Sequence, residues 1–100
     1  MDKIFKQPNE TFYITFSAED VLQDGDGISI TGTSIKAYSG DTDVTDSIID
    51  ADGIIYTATS VSAKVKNGES GSNYKITALL ATTVAEEVYE IDMLMVVRDY

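Results

Sequence analysis

Apolar residues fall on every second position in one short stretch after another. Nowhere do they hold a 3.6-residue period for any length. In "ETFYITFS", residues 10–17, Phe12, Ile14 and Phe16 share one face while Tyr13 and Thr15 share the other. In "TSVSAKVK", residues 59–66, Val61, Ala63 and Val65 face one way and Ser62, Lys64 and Lys66 the other. Such runs, rich in aromatic and β-branched residues, are strands with one wet face. Their dry faces must meet another layer, so the pattern predicts an antiparallel β-sandwich of six or seven strands.

The other elements follow from the same reading. Pro8 suits the approach to an edge strand. A turn of helix fits around Glu19–Leu22, stopped by "DGDG". "ISITGTSIKAY", residues 28–38, reads as a strand whose phase slips at Gly32, which suggests a β-bulge there. "VTDSIID" and "GIIYTAT" read as short strands around a "DADG" turn. A last strand is expected from about Glu86 to Arg98, with Tyr89, Ile91, Met93, Met95 and Val97 on one face. Leu94 and Val96 on the other face suggest cover on both sides. "MDKIFKQP" is expected as an ordinary first edge strand or as an arm that reaches a neighbour. One hundred residues, with no linker, repeat or low-complexity tract, predict a single domain over residues 1–100.

Composition narrows the chemistry. The chain has no His, Cys or Trp. Lacking imidazole and thiol, it lacks the usual general base and the usual metal ligand, and its many acids form no convincing catalytic pair. No catalytic residue and no cofactor are expected. The net charge is −10, from 17 acids against 7 bases. That opposes binding to nucleic acid and to anionic membrane surfaces, both of which reward Lys and Arg. No signal peptide and no membrane span are expected.

The acids cluster between Glu19 and Asp52. "QDGDG", "SGDTDVTD" and "DADG" make Asp24, Asp26, Asp41, Asp43, Asp50 and Asp52 weak candidates for a Ca²⁺ site. An EF-hand register starting at Asp41 fails, because Asp46 stands where the loop needs Gly. The simpler reading is Asp used for turns and solubility, so Asp→Asn at Asp24 or Asp26 is expected to change stability little in calcium-free buffer. In "NGESGSNYKIT", Gly68 and Gly71 precede Tyr74. Tyr74 either opens a strand or forms a tyrosine corner, its hydroxyl turned back onto loop backbone as in immunoglobulin-type sandwiches.

Several motifs together resemble a known family. They are Lys6, Pro8 and Glu10; the aromatic strand Phe12–Phe16; Asp24, Gly25, Asp26 and Ile28; Gly68, Gly71, Tyr74, Ile76 and Thr77; and the closing Val97, Arg98 and Asp99. The set is similar to small tailed-bacteriophage and prophage structural proteins of the fibre–tail adaptor and related head–tail type. Residues 31–60 depart from that pattern and lack its Trp. The resemblance implies an immunoglobulin-like sandwich of about seven strands and a non-enzymatic adaptor between tail or neck and another structural component. It implies other phage structural proteins as partners, a ring of identical copies in the particle, and a life in the host cytoplasm during assembly and then in the virion. The alternative is a calcium-stabilised immunoglobulin-like module that binds a carbohydrate or a cell surface.

Overall fold

A computed structural model of the chain describes residues 2–22 and 25–99. Eight strands form two sheets. They are β1 (Asp2–Lys6), β2 (Phe12–Ser17), β3 (Ser34–Ser39), β4 (Thr42–Asp43), β5 (Ile49–Tyr56), β6 (Ser60–Val65), β7 (Asn73–Ala81) and β8 (Val88–Val97), with one helical turn, α1 (Thr45–Ile48), before β5. The larger sheet has the order β1-β8-β7-β3-β4 and the smaller β2-β6-β5. Every pairing is antiparallel except β1 with β8. The second, fifth and sixth strands lie against the third, seventh and eighth, which is the division of an immunoglobulin sandwich. The fold is all-β, as the alternation requires.

The core is the sum of the inward phases. Ile14 and Phe16 of β2 and Val61, Ala63 and Val65 of β6 are buried against Ile35, Ala37, Tyr74, Ile76, Ala78, Leu80, Met93, Met95 and Val97 of the larger sheet. Ile76, two residues beyond Tyr74, is fully buried. In antibody domains a cysteine of the inter-sheet disulfide stands at that spacing from the corner tyrosine; here an aliphatic side chain fills the place.

Three sequence expectations are corrected. "VTDSIID" is not a strand at its start. Val44 and Ile48 are four residues apart, one helical turn, and both pack on the core. Asp43 then anchors the turn by accepting the Thr45 N–H at 2.9 Å and the Thr45 hydroxyl at 2.6 Å. "DADG" is not a turn between two strands but an interruption inside β5. Asp50 pairs with Lys64 and the next paired residue, Ile54, faces Ala63. The third correction is at Gly32, which lies in a turn rather than a bulge. Ile28 makes only an isolated bridge, to Thr82, and strand pairing begins at Ser34. The helical turn near Glu19 is a single hydrogen-bonded turn, with the Val21 and Leu22 N–H groups donating to Ala18 O. β1 is an edge strand of the larger sheet.

Candidate interaction surface

The outward face of the larger sheet does not alternate cleanly to polar residues. Register fixes its rows. Phe5, Val96 and Asn73 lie side by side; Lys3, Leu94, Lys75 and Tyr38 form the next row; Asp92, Thr77 and Lys36 the third; Glu90, Leu79 and Ser34 the fourth; Val88 and Ala81 the last. An antiparallel sheet with one solvated face ordinarily turns polar side chains outward. Here Phe5 is 60% exposed, Val88 62% and Leu79 37%, while Leu94 and Val96 are half-buried between their neighbours. Among the described residues no second layer covers them.

Charge on this face differs from the rest of the chain. Lys3, Lys36 and Lys75 are three of the seven bases in a protein of net charge −10. Lys75 sits 3.6 Å from the Asp92 carboxylate, which also accepts the Thr77 hydroxyl at 2.8 Å. Ser34, Lys36, Tyr38, Lys75, Thr77 and Leu79 line a shallow groove of about 440 Å³. Apolar, aromatic and cationic side chains are thus interleaved on a rigid sheet. Exposed apolar patches of this kind are characteristic of contact faces.

The loops around the sandwich are braced by three polar devices. At one, the Tyr74 ring is buried at the start of β7 and its hydroxyl accepts the Glu69 N–H at 3.0 Å. Gly68 (φ +97°) and Gly71 (φ +93°) turn the chain just before it. At the second, Lys6 is fully buried, and its ammonium donates to the carbonyls of Gln7 (2.8 Å), Pro8 (3.1 Å) and Asn67 (2.6 Å). Burial holds its pKa below the usual lysine value. Glu10 closes the same turn by accepting the Gln7 N–H at 2.6 Å. The Lys-x-Pro-x-Glu pattern is therefore a clasp between the β1–β2 and β6–β7 loops. The family resemblance marked these positions but could not show the lysine turning inward.

The third device is Asp26. One carboxylate oxygen accepts from the Gly27, Thr83 and Val84 N–H groups and the Thr83 hydroxyl, and the other accepts the Ala85 N–H, all between 2.7 and 3.1 Å. These bonds, led by Val84, hold its pKa well below the ordinary carboxylate range. Asp26 thus ties the acidic turn to the β7–β8 loop, which reverses the expectation that its replacement is nearly neutral. The other acidic candidates lie elsewhere. Asp43 anchors α1, with its pKa lowered chiefly by the Thr45 hydroxyl. Asp50 accepts the Asp52 N–H at 3.0 Å within the β5 interruption, and Asp41 borders the groove. Asp24 lies outside the described residues. Among the described residues, no three Asp or Glu side chains gather closely enough to hold a metal ion, and no helix is long and apolar enough to cross a membrane.

Comparison with known proteins gives a family assignment. Residues 6–95 match the family described as podophage GP4 fiber-tail adaptor protein gp77. No curated protein and no solved structure matches the chain. The match spans nearly the whole sandwich, and the chain belongs to that family.

Proposed function

We propose that this member of the fibre–tail adaptor family is a non-enzymatic virion part that couples the tail to a second structural protein through the outward face of its larger sheet. The observation that carries the reading is the run Phe5, Leu94, Val96, Leu79 and Val88, apolar in a phase that solvent alone would leave polar. Lysines among these residues suit a partner patch that is itself partly acidic. A rigid sheet presents such a patch without ordering cost, which is what a mechanical joint needs. Copies would be arranged in ring symmetry around the tail, assembled in the host cytoplasm and carried in the particle. The partners are other tail or neck proteins, with no role for nucleic acid or membrane.

The test is complementation of phage that lack this chain. Wild-type protein should restore particles containing it in fixed ratio to tail proteins by quantitative mass spectrometry. Leu79→Asp and Phe5→Asp, both at exposed positions, should fold normally yet be lost from particles. Complete, fibre-bearing particles formed without the chain would overturn the adaptor role. Normal incorporation of both variants would overturn the choice of face.

A further inference from the structure

A sandwich of two open sheets has four edge strands, here β1, β4, β2 and β5. Proteins blunt such edges with shortness, charge, proline or bulges, because unpaired N–H and C=O groups recruit further strands. β4 is two residues long. β5 is broken by the register shift between Asp50 and Ile54. β1 carries Asp2, Lys3 and Lys6 in five residues. β2, with the sequence FYITFS, has no charge, no proline and an unbroken register with β6 over all six residues. Among the described residues it is the one edge left without any of these devices.

The backbone groups on that edge can be named. The Ala18 N–H donates to Thr59 O at 2.8 Å. In an antiparallel ladder a residue sends its N–H and C=O to the same side, and successive residues alternate. With Phe12 facing Val65, Ile14 facing Ala63 and Phe16 facing Val61, those three bond towards β6. Tyr13, Thr15 and Ser17 therefore point their N–H and C=O groups away from the sheet. A strand laid along them would add a fourth member to the smaller sheet, and its inward side chains would meet the half-buried flank of the core at Phe12.

The surroundings specify what would lie there. Glu10 stands just before β2, and Glu19 and Asp20 just after it. An occupant is favoured by a basic residue at each end and an alternating, uncharged, proline-free centre. This chain's own stretches bounded by lysines are already paired: Lys3–Lys6 lies in β1 against β8 with Lys6 buried, and Lys64–Lys66 spans the end of β6, which is paired with β2 on one side and β5 on the other. A second copy therefore does not supply it. We infer that the free edge of β2 is a strand-addition site for an extended, lysine- or arginine-bounded segment of a different protein. This surface is separate from the outward face of the larger sheet and stands or falls independently of it.

The experiment uses the full chain, isotope-labelled, with the synthetic peptide acetyl-Lys-Thr-Val-Thr-Val-Thr-Lys-amide. Saturable chemical-shift changes and slowed amide exchange should concentrate at Tyr13, Thr15 and Ser17. A peptide with Glu at both ends should bind on the order of tenfold more weakly, as expected for the loss of about 1.4 kcal/mol of end-charge attraction. A peptide with Pro at its centre should lose the slowed exchange. Thr15→Pro removes an outward N–H and no ladder bond, and should abolish binding in folded protein. Ser17→Pro, at the strand end, takes its place if Thr15→Pro does not fold. Shift changes spread over the acidic turns with none at these three amides would overturn the inference. So would binding that survives the proline variants.

Discussion

Gly68 and Gly71 share an unusual backbone but not the same surroundings, and this pair allows the Tyr74 loop to be tested with an internal control. Both lie at positive φ, +97° and +93°, where an L side chain is strained. An alanine at either position should lose about 1–2 kcal/mol for that reason alone. Space separates them. A Cβ on Gly71 would meet nothing within 4 Å, whereas one on Gly68 would lie 2.9 Å from Val97 Cγ2 and 3.4 Å from Tyr74 Cε2. Both neighbours are buried, Val97 completely, so they have little room to retreat. Overpacking of this kind costs about 1–3 kcal/mol more. The gain from a stiffer unfolded chain is common to both variants and cancels in the comparison. Gly68→Ala should therefore unfold in urea at a midpoint roughly 0.7–2 M below that of Gly71→Ala, for a slope near 1.5 kcal/mol per M. The six tyrosines, with no tryptophan to mask them, report the transition by fluorescence. Gly68→Ala combined with Val97→Ala should recover part of the difference as a favourable coupling. Equal midpoints for the two single variants would refute the close packing of Gly68 against Val97 and Tyr74.

Tyr74→Phe keeps the ring and removes the acceptor of the Glu69 N–H, so it should lower stability by about 1 kcal/mol in the same assay. Lys6→Met leaves three carbonyls without their donor and should cost about 2 kcal/mol, read as a lower melting temperature by circular dichroism. Asp26→Asn should lower the melting temperature at pH 7, while Asp41→Asn leaves it unchanged. The sign with pH follows from its depressed folded pKa: Asp26 contributes fully above the ordinary carboxylate value of 3.8, and its contribution is lost as pH falls below that value. The Asn variant should thus show a shallower acid limb in a plot of stability against pH, with the difference between the proteins shrinking towards low pH.

Alternation made the strands legible because a sheet with one dry face has no other solution. Ile14, Phe16, Val61, Ala63 and Val65 are buried where their phase places them. The failures occur where a different local rule won. At Thr45–Ile48 the i, i+4 pair Val44 and Ile48, together with the Asp43 anchor, favoured a helical turn over β-propensity. At Gly53 a Cβ would lie 2.6 Å from Lys64 Cβ, so this glycine allows the interruption in β5 to press against β6 instead of turning the chain. Asp26 could be found as an acid in a Gly turn, but its five donors come mainly from residues 83–85. No local pattern reveals a partner almost sixty residues away.

The interaction surface was half legible for a related reason. The sequence shows Leu94 and Val96 apolar in the phase opposite to Met93, Met95 and Val97. By itself that pattern predicts a strand covered on both sides. The structure instead places β8 second in a five-stranded sheet, with β1 and β7 at its sides and the outward face open. Register then aligns Phe5 with Val96 and Lys3 with Leu94, so that residues distant in sequence become one surface. Among the described residues no layer covers this apolar phase, which is why the proposed contact with another tail protein is placed there. On the reading proposed above, the outward phase of β8 is the part of that pattern the fold leaves open, and it is the face offered to a second structural protein.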